Sequence, residues 1–522
     1  MLILAGAAGF WLFSRGFLLS RMVLPNHSSP FALPYADISP GKGSEGGLGS
    51  THVDGWYPAK FERTIVLVVD ALRIDFATWS DELNATYFDG SGAPVNGDKG
   101  RLRPYHNRLP VINELSVKYP EQTMLYRFRA DPPTTTLQRL KGLTTGQLPT
   151  FIDAGSNFAG SAIDEDNWLQ ALCRRPTHTS NDHAALETVG KSRPRNLVFL
   201  GDDTWTSLFP KELSDTHATE LNETLWRAAS NGVQPAWWAR VRPFPSLNVW
   251  DLDTVDDGVL SRLPLFLLPP EATEHSMAPQ AAAEVRARRD RWRRLVRQQN
   301  MLSHSDFGLS LQPGALTGGA ALNSTMTSNV VGPEQLHRDW DVIIAHTLGV
   351  DHCGHRFGPD HQAISQKLTQ MNRAVELIVD AIDRSDKPTA LYVFGDHGMD
   401  PKGDHGGDSP REVDAALWLY SNKRWNTKEG AKRSARVLEL ATSLIESEPL
   451  GSSLDTDLKH GWWLNTHLWD DYRSTPLRQL LEPTKLRSIP QIDLVSSLSL
   501  SLGLPIPFNN LGAVIPEMFA SD

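Results

Sequence analysis

Four apolar runs, each ending in an acidic or imidazole side chain, constrain the fold more than any other feature of this sequence. They occupy residues 64–70, 196–202, 340–346 and 390–396. A continuous series of β-branched and other apolar residues is typical of a strand buried on both faces, as in a parallel sheet. The carboxyl ends of parallel strands meet at one edge of the sheet. We therefore expect Asp70 and Asp396 to lie close together there.

The stretch between the last two runs, residues 364–385, has the spacing of an amphipathic helix. Apolar residues recur there at intervals of three and four, at Leu368, Met371, Val375, Ile378 and Ile382. The order strand–helix–strand predicts parallel pairing. The predicted fold class is therefore α/β, with a parallel sheet flanked by helices. A final helix is expected to begin within residues 488–494.

The composition excludes some classes of partner. With 522 residues, the chain is long enough for one α/β domain with insertions or for two domains. Its net charge of −10 argues against a nucleic-acid partner, since a phosphate backbone requires a basic face. The two cysteines, Cys173 and Cys353, allow a single bridge but no disulfide framework. We interpret Cys353 as a packed free thiol.

Three segments differ in composition from the rest. The uninterrupted apolar run at the start of residues 1–24 ends at Phe13 and is shorter than the roughly 20 apolar residues that a membrane span requires, so we interpret residues 1–24 as an anchor or signal remnant. Residues 25–60 are rich in Pro, Gly and Ser, which is typical of a linker. Residues 259–337 hold Pro-rich and Ala/Arg-rich stretches. We interpret them as a surface insertion with a solvated helix, in preference to a lipid-binding patch.

Three acid-and-histidine clusters follow the last two strand-like runs. The residues in them that we expect to bind metal are Asp351, His355, Asp396, His397 and His405. Carboxylate and imidazole ligands together suit zinc, and paired ions stabilise both oxygens of a phosphoryl transfer. Asp70 can cap a helix or pair with Arg73, but together with Asp396 it favours a shared metal. We interpret His346 and His352 as neighbours of the ligands.

The triple threonine at residues 134–136 offers a nucleophile just before a predicted helix. An ordinary helix cap is the alternative, because Thr is favoured there. At a helix N-terminus a Thr hydroxyl would lie beside N–H groups that bind phosphate oxygens. Metal coordination would make that hydroxyl nucleophilic at neutral pH.

The motifs together resemble those of the alkaline phosphatase superfamily of two-zinc enzymes. Within it, the chain resembles the GPI-anchor ethanolamine phosphate transferases, and among these the type that modifies the third mannose. The matching stretches are residues 13–19, 69–73, 132–146, 148–158, 201–205, 348–355 and 403–409. The resemblance implies an alkaline-phosphatase-like, mixed but mostly parallel sheet over residues 61–505.

The resemblance also implies a role for each candidate residue. One zinc would be bound by Asp70, Asp396 and His397, and the other by Asp351, His355 and His405. Thr136 would be the nucleophile, with Thr135 as the alternative, and Asn157 would contact the phosphate. The implied reaction transfers phosphoethanolamine from phosphatidylethanolamine to a mannose of a GPI-precursor glycolipid, through an intermediate on the threonine.

The implied setting is the ER membrane, with the catalytic domain in the lumen and a small membrane protein as stabilising subunit. The chain departs from the family in its short N-terminal anchor, in the length of the 259–337 insertion, and in lacking a multi-span region after a 506–522 tail.

Two alternatives remain open: a metal-dependent phosphodiesterase that uses water, and an inactive luminal binding module. A sulfatase is disfavoured, because residues 173–177 lack the Cys-x-Pro/Ala-x-Arg arrangement.

Overall fold

The computed structural model describes most of the chain around one central sheet. The described residues are 6, 9, 11–12, 24–28, 57–79, 103–149, 162–173, 196–213, 241–246, 248–297, 337, 340–425 and 486–519. Asn157 and most of the 25–60 segment lie outside these ranges. Among the described residues, no helix has the length and apolar character needed to cross a membrane.

Eight strands form the sheet. They are β1 (Arg63–Val69), β2 (Thr123–Arg129), β3 (Leu197–Asp202), β4 (Val241–Phe244), β5 (Val342–Thr347), β6 (Thr389–Phe394), β7 (Asp414–Ser421) and β8 (Ser488–Pro490). Their order across the sheet is β4-β3-β5-β1-β6-β7-β2-β8. β7 runs antiparallel to both of its neighbours, and the other pairs are parallel. The predicted mixed, mostly parallel sheet is confirmed.

The four apolar runs form four adjacent strands of the sheet, β3, β5, β1 and β6. Residues of β1 alternate between two hydrophobic layers, with Ile65 and Leu67 in one and Val66 and Val68 in the other. Burial of both faces explains why these strands are apolar throughout rather than alternating.

Helices cover both faces of the sheet. They are α1 (Ile74–Ala77), α2 (Pro110–Lys118), α3 (Thr136–Thr145), α4 (Trp168–Cys173), α5 (Asp203–Leu208), α6 (Pro210–Leu213), α7 (Thr254–Leu267), α8 (Pro279–Arg297), α9 (Gly349–Phe357), α10 (Gln362–Asp383), α11 (Pro410–Val413) and α12 (Gln491–Ser501), with 3-10 turns at Glu271–Ser276 and Pro516–Phe519. The predicted helix over residues 364–385 is α10, and the predicted final helix is α12. Cys173 and Cys353 are both free thiols.

Part of the expected surface insertion, residues 259–337, instead builds the core. Leu263 and Phe266 of α7 and Trp292 of α8 are buried in the layer that contains α10. The many arginines of α8 suggested a solvated helix, but its apolar residues form a stripe that packs inward. Residues 298–336 lie outside the described ranges.

Residues near the end of the described chain pack on the same body. Ile515 and Met518 are buried, and the Lys60 ammonium donates a hydrogen bond to the Met518 carbonyl at 2.6 Å. These contacts place residues 57–60 and 515–519 against one another.

Candidate active site

Asp70 and Asp396 lie side by side because the strands before them are paired. β1 and β6 run parallel, with Val68 opposite Phe394, so both strands end at the same edge of the sheet. The Ala71 backbone N–H donates to Asp396 Oδ1 at 3.2 Å. Ala71 adopts a positive φ of 56°, a strained conformation for a residue with a side chain that is often found at functional sites. In this conformation the turn after β1 presents its N–H to Asp396.

His397 completes a first group of ligand atoms. Its Nε2 lies 3.3 Å from Asp70 Oδ1 and 3.4 Å from Asp396 Oδ2. Its Nδ1 lies 2.8 Å from the Gly398 carbonyl. Because a carbonyl only accepts, Nδ1 carries the proton and Nε2 presents a lone pair, the tautomer that a metal ligand needs.

Asp351, in the first turn of α9, is the centre of a second group. Its two oxygens lie 3.4 Å from His355 Nε2 and 3.5 Å from His405 Nε2. His405 Nδ1 is 2.8 Å from the Thr134 carbonyl, so its Nε2 is again the free nitrogen. Ligand atoms of Asp351, His397 and His405 also lie within 4.8 Å of one another. His397 therefore stands between the two groups.

The donor atoms of both groups fit a bound divalent metal. The buried oxygens Asp70 Oδ1, Asp351 Oδ1 and Asp396 Oδ2 have no hydrogen-bond partner, although an unpartnered buried carboxylate oxygen is costly. Burial and the charges of Asp396 and Asp351 raise the pKa of Asp70 well above its usual value. Burial also lowers the pKa of His397 to about 4, which keeps its imidazole neutral. A cation among these atoms would relieve the repulsion.

Thr136 is the hydroxyl that faces the first group. It is the first residue of α3, and its Oγ1 lies 3.3 Å from both Asp70 Oδ2 and His397 Nε2. The free N–H groups of the first helical turn lie beside it and favour an anion. Sequence alone left Thr135 and Thr136 as alternatives, and the geometry favours Thr136.

The other two threonines have different surroundings. Thr134 Oγ1 donates to the Gly407 carbonyl and accepts from the Gly406 N–H, both at 2.9 Å. Thr134 therefore fastens the loop that carries His405 to the start of α3. The Thr135 Oγ1 is buried and makes no hydrogen bond.

Gly403 allows the His405 loop to approach α9. It has a φ of +92°, and a Cβ there would clash with the Gly354 carbonyl. Only glycine meets both requirements without strain. The contact brings the loop against the helix of Asp351, so the second group forms between two elements that are distant in sequence.

His352 lies outside both ligand groups. Its Nδ1 is 2.7 Å from the Asp251 carbonyl, so it joins α9 to the segment before α7. Cys353 is fully buried, and burial raises the pKa of its thiol to about 12. Both residues were interpreted from sequence as neighbours rather than ligands, and their positions agree with that interpretation.

Sequence reasoning did not assign a role to Gln491 or Glu412. The Gln491 amide donates to the Asp396 carbonyl at 2.6 Å, and Glu412 accepts from the Gly407 N–H at 2.7 Å. Both side chains support the backbone beside a ligand. In the sequence, the capping pattern of α11, Ser409 followed by Glu412, gives a local indication of a structural role for Glu412, and Gln491 has no such pattern.

The family described as type I phosphodiesterase / nucleotide pyrophosphatase matches residues 214–415. That stretch contains β5, β6, α9 and five of the six candidate ligands, namely Asp351, His355, Asp396, His397 and His405. Asp70 and Thr136 lie before it. The part of the chain that carries these candidate ligands is therefore similar to a phosphodiesterase family.

Curated relatives narrow the class further. The chain is 33% identical over 511 residues to GPI ethanolamine phosphate transferase 3 of Eremothecium gossypii, covering 98% of this chain and 32% of that protein. It is also 33% identical over 519 residues to the catalytic subunit of GPI ethanolamine phosphate transferase 3 of Homo sapiens, covering 98% and 30%. The chain is thus a relative of the GPI ethanolamine phosphate transferases 3, and it spans about a third of their length.

Proposed function

We propose that this chain transfers phosphoethanolamine from phosphatidylethanolamine to a mannose hydroxyl of a GPI precursor. The observation that carries the proposal is the position of Thr136, whose hydroxyl faces Asp70 and His397 at the start of α3. The names of the relatives supply the transferred group, ethanolamine phosphate, and the GPI class of acceptor, and the sequence resemblance supplies the lipid donor and the mannose hydroxyl. The third mannose is the proposed acceptor position.

Two zinc ions would occupy the two ligand groups, the first on Asp70, Asp396 and His397 and the second on Asp351, His355 and His405. When bound, zinc would supply Lewis-acid stabilisation of the phosphoryl charge and lower the pKa of a coordinated hydroxyl. This donor set favours zinc over magnesium, because imidazole ligands suit zinc.

Thr136 would act as the nucleophile in two balanced steps. Its Oγ1 forms a bond to phosphorus while the bond from phosphorus to the diacylglycerol oxygen breaks, and diacylglycerol leaves with a proton. Asp70 Oδ2, 3.3 Å from the hydroxyl, is placed to accept the threonine proton. In the second step the mannose oxygen bonds to phosphorus and loses its proton, while the bond from phosphorus to the threonine oxygen breaks and that oxygen takes up a proton. The N–H groups of the first turn of α3 would bind the phosphoryl oxygens in both steps.

The setting that accompanies this function is the lumenal side of the ER membrane. Residues 1–24 would anchor the chain, residues 25–60 would link the anchor to a catalytic domain over residues 61–505, and residues 506–522 would lead toward a membrane region. A small stabilising membrane subunit and a phosphate contact from Asn157 belong to the same proposal.

Covalent capture of the intermediate tests this function. Zinc-loaded protein is incubated with phosphatidylethanolamine in detergent without an acceptor and digested, and the peptides are analysed by mass spectrometry. We expect phosphoethanolamine on the peptide containing residues 134–136, lost in Thr136→Val and retained in Thr135→Val. An adduct that persists in Thr136→Val would refute the nucleophile, and absence of any adduct and any diacylglycerol release would refute the transfer.

A second candidate is a phosphodiesterase that uses water as the acceptor, which the family match over residues 214–415 favours. The two activities share every step up to the intermediate. Product analysis with and without a mannoside separates them: a transferase forms a phosphoethanolamine-mannoside, whereas a hydrolase releases free phosphoethanolamine at the same rate in both reactions.

A further inference from the structure

A buried histidine joins two carboxylates beneath the first ligand group. His346 lies near the end of β5, between β3 and β1. Its Nδ1 is 2.9 Å from Asp202 Oδ1, and its Nε2 is 3.3 Å from Asp70 Oδ2. All three side chains are at most 2% exposed. The order of the strands therefore creates a row of Asp202, His346 and Asp70 that ends at a candidate ligand.

Asp202 is itself held in place on its other side. Its Oδ2 accepts a hydrogen bond from the Thr204 N–H at the start of α5, at 3.2 Å. The Trp205 indole nitrogen also lies 2.9 Å from His346 Nδ1, a pairing that would need an unprotonated Nδ1. Both ring nitrogens face a carboxylate oxygen, which can only accept, so we assign a proton to each nitrogen, and the ring donates to Asp202 through Nδ1 and directs its Nε2 proton at Asp70.

Gly201 provides the space that the histidine occupies. A Cβ at this position would lie 3.0 Å from His346 Cβ and 3.0 Å from the Phe199 ring, which is closer than side chains normally approach. The 201–205 stretch, which matched the family resemblance without an assigned role, therefore serves to seat His346. Glycine makes room, Asp202 orients the ring and Trp205 packs beside it.

The two oxygens of Asp70 have separate surroundings. Oδ1 faces His397 and has no hydrogen-bond partner. Oδ2 faces His346 and the Thr136 hydroxyl, each at 3.3 Å. Rotation of the carboxylate would exchange these roles and bring Oδ1 away from the first ligand group. A fixed neighbour at Oδ2 prevents that rotation.

We infer that His346, oriented by Asp202, is a positioning residue that holds the Asp70 carboxylate with Oδ1 toward the first metal and Oδ2 toward Thr136. The inference rests on the proposed function for the identity of the metal and the nucleophile. His346 and Asp202 lie outside the two sets of candidate ligands. Removing a residue that supports a metal ligand typically changes metal affinity by about 10–100-fold.

Zinc binding by the full chain tests the inference without relying on turnover. Competition with a chromophoric chelator gives the affinity of each site in the wild type, His346→Gln and Asp202→Asn. Asp166→Asn is the matched control, since Asp166 is a buried aspartate that also contacts a histidine, His27, at 3.2 Å. Thr136→Val checks that the nucleophile itself does not set the affinity.

We expect His346→Gln and Asp202→Asn to weaken one of the two zinc sites by about 10–100-fold and to leave the other within twofold. Asp166→Asn is expected to leave both sites unchanged even where its melting temperature falls equally. In the transfer assay, His346→Gln should lower kcat more than it raises KM for the lipid. If His346→Gln does not fold, Asp202→Asn, which preserves side-chain volume, provides the test.

Wild-type zinc affinities in both His346→Gln and Asp202→Asn would overturn the inference and leave the proposed function standing. Equal weakening of both sites, matched by Asp166→Asn, would also overturn it, because it would indicate general destabilisation. A wild-type chain that binds no zinc would instead refute the metal centre of the proposed function.

Discussion

Replacing Lys367 with methionine is expected to destabilise the protein by about 3–5 kcal/mol, the usual result of removing one partner from a buried ion pair. Lys367 of α10 is 3% exposed, and its ammonium lies 2.7 Å from Asp253 and 3.0 Å from Asp256. Burial alone would lower the pKa of Lys367, but Asp256 and Asp253 raise it above its usual value. The lysine is therefore charged, and its loss leaves Asp256, 1% exposed, without a counter-ion.

The magnitude depends on Asp256, which also has a structural role. Its Oδ1 accepts hydrogen bonds from the Leu348 and Gly349 N–H groups, at 2.9 and 3.0 Å, at the start of α9. In Lys367→Met the carboxylate must either stay charged in an apolar site or take up a proton. Both outcomes cost free energy, and both weaken the anchor of the helix that carries Asp351.

Guanidinium chloride unfolding of the metal-free protein at pH 7 measures the effect. The double variant Lys367→Met/Asp256→Asn removes both charges but keeps one oxygen for the two N–H groups. We expect it to recover at least 1 kcal/mol relative to Lys367→Met, a coupling within the range for residues in direct contact. Destabilisation below about 1 kcal/mol by Lys367→Met, or strictly additive effects in the double variant, would refute the reasoning.

Three further predictions follow from single contacts. Burial raises the pKa of Asp257 to about 7, above its unfolded value near 4, so its ionisation opposes folding increasingly from pH 4 to 7 and fully above pH 7. Asp257→Asn should thus stabilise the protein by about 1–3 kcal/mol at pH 8 and by nothing at pH 4, as measured by urea unfolding, and a pH-independent effect would contradict this. In Gly395→Ala the new Cβ would meet the Leu72 backbone. We expect a loss of about 1–3 kcal/mol in urea unfolding and of one bound zinc in metal analysis, and two retained zincs would contradict the packing. Thr134→Val removes two hydrogen bonds and should cost about 1–3 kcal/mol in unfolding, whereas Thr135→Val, whose hydroxyl has no partner, should be neutral. Equal effects would contradict the assigned contacts.

Four strands, β1, β3, β5 and β6, were predictable because burial on both faces selects apolar residues at every position. β1, β3, β5 and β6 are covered on both faces, so each is a continuous apolar run. β7 and β2 were missed for different reasons. β7, Asp414–Ser421, carries alanines and leucines that suit a helix equally well, and β2, Thr123–Arg129, interrupts its apolar residues with arginine.

The candidate ligand residues could be proposed from the sequence as a set, while their contacts could not. Each acid-and-histidine cluster lies within a few residues of sequence, so its carboxylate and imidazole side chains alone indicated Asp351 and Asp396 as candidate metal ligands. The distinction between Thr134, Thr135 and Thr136 depends on where α3 begins and on the loop it meets. The contact of His346 with Asp70 depends on β5 lying beside β1, a pairing between strands that are distant in sequence.

Anomalous diffraction at the zinc edge from zinc-loaded crystals tests the central claim most directly. We predict two peaks, one bound by Asp70, Asp396 and His397 and the other by Asp351, His355 and His405, with Thr136 Oγ1 directed at the first. A single peak, or two peaks away from these side chains, would contradict the two-metal site on which the proposed transfer depends.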